Sequence, residues 1–277
     1  MCLTCGKHVT EQLWYLEPEK HRLRSLGLLR DAVSYNMDPL IMSALKLIRK
    51  KQPYSANPLT GISKGLLDWF AKTVHGIQAL PDLDSAFKVI DMANEISLAP
   101  CLCKKALAPD QPPAWRCIGL NIAAQIQFQR EVKSPVREID KQEAKDITAE
   151  WRQRGAFQSV GWLWDANVIW LCNCDEHCGS HRVSELEWGL VPSFVVANLS
   201  RPSACNGCQE CARWCSRFGA LTFDADGRVV VDEPLCRGCG VCIEHCPTQA
   251  LSFVPRQVFY DVLNKTVRPL GKGTVRL

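Results

Sequence analysis

Two copies of one cysteine pattern lie in the last third of this chain and constrain its fold more than any other feature. Residues 205–215 and 236–246 both follow the spacing C-x2-C-x2-C-x3-C. The copies end in the similar segments ALTF and ALSF. Between them, apolar runs flank Asp226-Gly227, a dipeptide that predicts a hairpin turn. The fold must therefore bring many thiols together within a short stretch of chain.

Thiolate-rich patterns of this spacing favour iron–sulfur chemistry. A [4Fe–4S] cluster has four iron corners, and each takes one soft thiolate ligand. The first three cysteines of a run can surround one face of such a cube, whereas the fourth follows on a turn that leads away. Two structural zinc sites are the alternative, but zinc sites usually show two C-x2-C pairs separated by a spacer. The duplicated pattern therefore predicts iron–sulfur clusters rather than zinc.

Residues 201–255 resemble a bacterial-type two-cluster ferredoxin. The resemblance implies two [4Fe–4S] clusters at low potential, each exchanging one electron, with the fourth cysteine of each run ligating the other cluster. Pro247 fits the C-P signature of these proteins, but Ser216 stands where a proline is usual. The implied ligands are Cys205, Cys208, Cys211 and Cys246 for cluster I, and Cys236, Cys239, Cys242 and Cys215 for cluster II.

Half of the sixteen cysteines lie outside the two runs. Three hypotheses remain open for six of them: four could hold a third iron–sulfur cluster, some could hold a structural zinc with His177 or His181, or they could be reduced thiols with a redox or catalytic role. Cys2 and Cys5 are interpreted as incidental thiols or a partner contact. The six candidate ligands of a third site are Cys101, Cys103, Cys117, Cys172, Cys174 and Cys178.

A second resemblance covers roughly residues 95–255. The segments LAPCLCKK, REIDKQEAKDI, RGAFQSV and LCNCDEHC follow the order found in a group of uncharacterised 4Fe–4S binding proteins of anaerobes. Those proteins carry a Cys-rich region ahead of a dicluster ferredoxin domain. Asp175 and His177 stand where that group often has further cysteines.

Helical periodicity dominates the first hundred residues. Apolar stripes at helical spacing cover residues 38–48, 66–74 and 83–90, and a further helix is predicted from a cap at Asp140 to Gly155. Residues 156–174 predict two short strands around a turn, with cysteines at the end of the second strand.

These patterns predict an α+β chain with a mostly helical N-terminal domain containing a short β-hairpin, followed by a small ferredoxin-like domain. The predicted units are a helical region at 1–95, a Cys-rich domain with a candidate metal site at 96–200, a dicluster ferredoxin domain at 201–255 and a basic tail at 256–277.

Charge and hydropathy exclude several function classes. The formal net charge of +4 is too small to indicate nucleic-acid binding. No run reaches the ~18 apolar residues of a membrane span, and the N-terminus lacks the pattern of a secretory signal. The clustered thiols then favour a reducing cytoplasm. No haem attachment, dinucleotide or phosphate-binding motif is present.

The sequence therefore predicts a cytoplasmic electron-transfer protein of anaerobic metabolism that passes single electrons between protein redox partners. One alternative is an oxidoreductase whose N-terminal metal site does substrate chemistry, and another is a redox-sensing scaffold. The basic residues of the tail predict either a solvated segment or a docking strip for an acidic partner. Those residues are Arg256, Lys265, Arg268, Lys272 and Arg276.

Overall fold

A computed structural model describes most of the chain from residue 75 onward. The described residues are 14–21, 75–107, 110, 112–129, 135–163, 167–175, 195–215, 218–261 and 266–269. Two short 3-10 helices, Trp14–Leu16 and Pro18–His21, precede the first strand. Among the described helices, none has the length and hydropathy that a membrane crossing requires.

A six-stranded antiparallel sheet forms the centre of the first unit. Its spatial order is β1-β5-β6-β3-β2-β4, and every neighbouring pair is antiparallel. The strands are β1 His75–Ala79, β2 Ile96–Pro100, β3 Trp115–Leu120, β4 Arg137–Glu138, β5 Phe157–Leu163 and β6 Asn167–Cys174.

Four helices connect these strands: α1 Leu83–Met92, α2 Leu102–Leu107, α3 Ile122–Gln129 and α4 Lys141–Gln153. The predicted cap of α4 is present, because the Asp140 carboxylate accepts from the backbone N–H of Glu143 at 2.8 Å. Gly155 follows this helix with a φ of 81°, the left-handed conformation expected just after a helix end.

The main hydrophobic core lies between the sheet and helices α1 and α4. Strand residues Ile118 and Leu171 are fully buried in it. Val89 and Ile90 contribute from α1, and Ala144 contributes from α4. Burying a large apolar side chain stabilises the fold by about 1.5–3 kcal/mol, so Ile118 and Leu171 face this core. Cys117 and Cys172, next to Ile118 and Leu171 in sequence, therefore point to the opposite face.

The second unit, which contains both cysteine runs, is called the ferredoxin unit below. It consists of the two-stranded sheet β7 Val195–Leu199 and β10 Leu251–Pro255, helix α5 Glu210–Cys215, the hairpin β8 Leu221–Phe223 and β9 Val229–Val231, and helix α6 Val241–Glu244. The last described strands, β11 Val258–Asp261 and β12 Thr266–Pro269, pair with each other.

The predicted turn at Asp226-Gly227 joins β8 to β9. Gly227 has a φ of 77°. The Asp224 carboxylate accepts from the backbone N–H of Asp226 at 3.0 Å and of Arg228 at 2.8 Å. These contacts are those of an Asx-type turn, in which a short acidic side chain replaces a backbone acceptor.

The α+β class is confirmed, but a mostly helical N-terminal domain is not supported. The predicted stripe at 83–90 forms α1, whereas those at 38–48 and 66–74 lie outside the described residues. The predicted hairpin is the β5–β6 pair at the centre of the larger sheet. The strands β2 and β3 are short, mostly apolar runs, which periodicity alone cannot distinguish from buried helix.

Candidate iron–sulfur centres and the thiol row

Each cysteine run supplies its thiols from a loop followed by a short helix. Cys205 and Cys208 lie on the loop before α5, and Cys211 and Cys215 lie within that helix. The second run repeats this arrangement, with two cysteines before α6, Cys242 inside it and Cys246 just after it. The short helices turn the chain back, so that thiols close in sequence point in different directions.

The thiols of the first group surround Cys211. Burial raises the pKa of the Cys211 thiol to about 11, and the nearby Cys246, Cys208 and Cys205 thiols act in the same direction. The fourth cysteine of the second run thus lies with the first three cysteines of the first run.

The second group forms in the reciprocal way. Burial raises the pKa of Cys215 to about 12, and the Cys239 and Cys236 thiols of the other run raise it further, ahead of Cys211. Burial also raises the pKa of Cys242, and the Cys239, Cys215 and Cys236 thiols act in the same direction, again ahead of Cys211. Each group provides four thiols, and thiols are the ligands that iron–sulfur clusters take. The residues present therefore fit two four-iron clusters in the cross-shared arrangement.

Hydrogen bonds to sulfur differ between the groups. Burial by itself would raise the pKa of Cys246, but hydrogen bonds from Thr248 and from backbone N–H groups lower it. The N–H of Ala250 donates to Cys246 Sγ at 3.3 Å. Cys236 Sγ accepts from the N–H of Ala197 at 3.4 Å, a donor on β7 that lies outside both cysteine runs. Such donors stabilise negative charge on sulfur and tune the potential of a bound cluster.

The two groups differ in exposure. Cys208 in the first group is exposed, whereas Cys236 and Cys242 in the second group are each about 7 % exposed. The first group therefore reaches the surface at Cys208, and the second group is the more buried of the two, with Cys215 and Cys239 partly exposed.

The second group also faces the six-stranded sheet. Arg152, in the last turn of α4, pairs with Glu244 through two hydrogen bonds of 2.7 Å. Its Nη1 donates to the carbonyl oxygen of Cys239 at 2.9 Å. At Gly240, an added Cβ would lie 2.1 Å from the carbonyl oxygen of Pro81. Gly240 has a φ of 71°, so both its conformation and this close approach require glycine.

A buried chain of amide hydrogen bonds extends from this contact. Arg152 Nη1 also donates to Gln158 Oε1 at 3.1 Å, and Gln158 Nε2 donates to Asn173 Oδ1 at 3.1 Å. Asn173 Nδ2 then donates to the carbonyl oxygen of Arg116 at 3.1 Å. These side chains are at most 3 % exposed, and they link the Cys239 loop to strands β6 and β3. Apart from the helix that carries Arg152, no sequence pattern predicted this network.

Five of the six additional candidate cysteines lie together at the edge of the contact between the two units. They are called the thiol row: Cys103, Cys101, Cys117, Cys172 and Cys174. Cys117 on β3 is directly opposite Cys172 on β6. Hydrogen-bonding contacts join Cys103 to Cys101, Cys101 to Cys117, Cys117 to Cys172 and Cys172 to Cys174. Sequence spacing alone could not show this, because the row combines three separate segments.

Charge is distributed unevenly along the thiol row. Hydrogen bonds from Cys103 and Cys117 lower the pKa of Cys101, and the nearby Arg116 guanidinium acts in the same direction. The pKa of Cys117 is raised, first by its hydrogen bond to Cys101. The pKa of Cys172 is raised, first by its hydrogen bond to Cys117. The row thus favours a thiolate at Cys101 and thiols at the two opposed strand positions.

A buried cation lies beside Cys101. The Arg116 side chain is fully buried, and its Nη2 lies 3.9 Å from Cys101 Sγ. Arg116 pairs with the Asp175 carboxylate, including a hydrogen bond of 2.9 Å from Nη2 to Oδ1. The Trp151 ring lies 5.1 Å from the guanidinium carbon. Asp175, which stands where the resembling group often has cysteine, is therefore paired with this arginine.

The thiol row and the ferredoxin unit share one apolar cluster. Cys172 and Cys174 belong to it together with the cysteines of both runs. Phe157, opposite Cys174 in the sheet, contacts Phe218 edge to face with ring centroids 5.2 Å apart. Phe218 follows α5, and its N–H donates to the carbonyl oxygen of Cys215. Apolar side chains thus connect the thiol row with the second group of ferredoxin cysteines.

Cys178, His177 and His181 lie outside the described residues, as do Cys2 and Cys5. Within the described ranges, no three cysteine, histidine or acidic side chains converge as they would around a single metal ion.

The first residue of the predicted basic tail is not solvated. Arg256 is 2 % exposed, and it donates to the carbonyl oxygens of Glu233, at 2.8 Å, and Cys236. The prediction of a surface strip is therefore wrong at Arg256, because its guanidinium satisfies carbonyls of the second cysteine loop. Lys265, Lys272 and Arg276 lie outside the described residues.

Comparisons with known proteins support the assignment of the ferredoxin unit. Residues 204–250 match the family described as 4Fe-4S dicluster domain. The chain is 34 % identical over 50 residues to the pyruvate synthase subunit PorD of Methanocaldococcus jannaschii, which is 18 % of this chain and 57 % of that protein. No solved structure matches the chain.

Two relatives share a smaller part of their length with this chain. An uncharacterized ABC transporter ATP-binding protein of Methanocaldococcus jannaschii is 33 % identical over 92 residues, which is 31 % of this chain and 14 % of that protein. Translation initiation factor rli1 of Schizosaccharomyces pombe is 34 % identical over 67 residues, which is 22 % of this chain and 11 % of that protein. The chain thus carries a ferredoxin-type 4Fe–4S domain at 204–250 and is an iron–sulfur protein.

Proposed function

We propose that the chain carries two [4Fe–4S] clusters and passes single electrons between redox partners. One observation supports this proposal: Cys246 of the second run acts on the pKa of Cys211 in the first run, and Cys239 and Cys236 of the second run act on that of Cys215 in the first. Cys205, Cys208, Cys211 and Cys246 would hold one cluster, and Cys215, Cys236, Cys239 and Cys242 would hold the other. When bound, such clusters exchange one electron each.

The difference in exposure between the two groups supports the first group as the site where a partner exchanges electrons with the protein. A partner protein can approach the first group at the exposed Cys208. The second group packs against the first unit, where Arg152 of α4 donates to the Cys239 carbonyl oxygen and Phe157 of β5 contacts Phe218. The protein side chains would insulate the inner site, set its potential and orient the partner at the outer one.

The setting that we propose is the reducing cytoplasm of an anaerobe. A reducing compartment is where clustered cysteines serve as metal ligands rather than disulfides, and no disulfide joins the thirteen described cysteines. The similarity to a pyruvate synthase subunit supports a place in anaerobic metabolism. We propose a protein as the redox partner. An acidic partner would have to use basic residues other than Arg256, which is buried.

Metal analysis of protein reconstituted without oxygen tests the proposal. We expect about eight iron and eight sulfide per chain, with two interacting paramagnetic centres after reduction. Cross-sharing makes a sharper test: Cys215→Ser should alter the same centre as Cys236→Ser, although Cys215 belongs to the other run. A Cys205→Ser variant should alter the other centre. If Cys215→Ser and Cys205→Ser affected the same centre, the cross-shared arrangement would be wrong.

A further inference from the structure

The thiol row has a geometry that the ferredoxin ligands do not share. Two of its cysteines, Cys117 and Cys172, are directly opposite on paired strands, whereas the ferredoxin cysteines lie on loops and short helices. Thiols in direct contact can exchange a disulfide, since exchange requires a thiolate to reach a neighbouring sulfur.

Cys117 and Cys172 satisfy the geometric demands of a disulfide. They are directly opposite on antiparallel strands β3 and β6. Opposed residues in such pairs have Cα atoms about 4.5–5.5 Å apart. A disulfide spans Cα separations of about 4.4–6.8 Å. The strand register already places the two side chains opposite each other, so closing the bond requires no change of register.

We propose that Cys117 and Cys172 form a redox-active dithiol that is reversibly oxidised to a disulfide by a disulfide substrate. The step is a thiol–disulfide exchange: one cysteine sulfur attacks the substrate disulfide, one substrate thiol leaves, and the second cysteine sulfur displaces the other. The Cys117–Cys172 bond forms, the substrate S–S bond breaks, and the two protons pass to the substrate thiols. The dithiol loses two electrons and the substrate gains two.

The row provides a path from the dithiol to the surface. Cys103 on α2 is partly exposed and contacts Cys101, which in turn contacts Cys117. Cys101 can therefore resolve a mixed disulfide formed at Cys103, which releases the second substrate thiol, and the Cys103–Cys101 bond then passes inward by two further exchanges to Cys117 and Cys172. Cys174 lies beyond Cys172, toward the ferredoxin unit.

The position of the dithiol suggests how it would be returned to the reduced state, and this part rests on the proposed function. Cys172 shares an apolar cluster with the ferredoxin cysteines, and the Phe157–Phe218 contact bridges the two units. Two clusters would supply one electron each, which matches the two electrons that a disulfide takes up.

Disulfide mapping on the reconstituted full-length protein tests the inference without relying on any activity. Glutathione disulfide is the probe oxidant, followed by acid quenching, alkylation and trypsin. Cys117 is the only cysteine of the tryptic peptide 117–130, and Cys172 lies on the peptide 155–182. We expect these two peptides to be linked after oxidation and separate after treatment with a dithiol. Fragmentation of the linked species should place the bond at Cys172.

Single serine substitutions provide the matched controls. Cys117→Ser and Cys172→Ser should each abolish the linked species, Cys103→Ser should slow its formation at least several-fold, and Cys174→Ser should preserve it. Iron content should stay unchanged in all four variants. Eight iron per chain without a Cys117–Cys172 link would overturn this inference and leave the proposed function intact. If the wild type held twelve iron, or one zinc, and the extra metal were lost in Cys117→Ser, the inference would be overturned in favour of a metal site. Iron well below eight in every form would refute the proposed function, while the link would still decide this inference.

Discussion

Arg152 Nη1 donates to the carbonyl oxygen of Cys239 at 2.9 Å, which joins the last turn of α4 to the second cysteine loop. The same guanidinium holds Glu244 through two hydrogen bonds of 2.7 Å. A cation next to a ligand loop stabilises the more negative, reduced form of a bound cluster. Arg152 thus contributes both to the contact between the units and to the electrostatics of the inner site.

Replacing Arg152 with glutamine should lower the potential of one cluster and leave the other nearly unchanged. Voltammetry of the reconstituted protein measures both potentials. The loss of charged hydrogen bonds should also destabilise the fold by about 2 kcal/mol. Arg154→Gln is the control, because Arg154 is exposed and pairs with Glu150 on the same helix. Equal shifts in both variants would show that only the overall charge matters.

Alanine at Gly240 should weaken the contact between the two units. The new Cβ would lie 2.1 Å from the Pro81 carbonyl oxygen, so the backbone must move. Gly219→Ala is the matched control, since Gly219 has a φ of 62° but open space around it. In both variants the left-handed conformation of the new alanine destabilises the fold by about 1–2 kcal/mol. We expect a larger loss of thermal stability and faster proteolysis only for Gly240→Ala. Indistinguishable variants would contradict the close approach.

Thr248→Val should shift the potential of the outer cluster to a more negative value. The Thr248 hydroxyl lies 3.7 Å from Cys246 Sγ, and its removal takes a polar contact from a ligand sulfur. Thr222→Val serves as control, because the Thr222 hydroxyl contacts the Val230 carbonyl oxygen at 3.5 Å and no cysteine. An unchanged potential in Thr248→Val would show that the backbone N–H donors alone set the charge on Cys246.

The stability of the fold should fall as the pH drops below about 6.5, in part because of His21. Burial lowers the pKa of His21, although its hydrogen bond to the Tyr15 carbonyl oxygen opposes this. The unfolded chain, with an ordinary histidine pKa of about 6.5, therefore takes up a proton that the folded chain resists. Thermal unfolding of wild type and His21→Gln at pH 7.5 and 5.5 measures the effect. The wild type should lose more stability on acidification than the variant; equal losses would refute this role.

Local signals predicted those parts of the fold that depend on local chemistry. The Asp140 cap, Gly155 and the Asp226-Gly227 turn are each determined by a few neighbouring residues, and each was predicted from the sequence. The sheet order was not predicted, because β2 and β3 pair with strands that are distant in sequence. The same reason applies to the thiol row, which becomes one cluster only when β3 is placed against β6.

Buried polar contacts were the least predictable part of the site. Arg256 was predicted to lie in a basic surface tail, and no role was predicted for Arg152, yet both are nearly fully buried and donate to carbonyls of the cysteine loops. Their roles follow from where unpaired backbone acceptors lie, and that depends on the tertiary structure.

The close approach of Gly240 to Pro81 has a consequence for how electrons can leave the protein. A carrier domain on a flexible tether can swing between a donor and an acceptor, but backbone packed this tightly against the neighbouring unit leaves no room for such an excursion. If the chain transfers electrons as we propose, the ferredoxin unit acts from a fixed position and its partners dock onto it in turn.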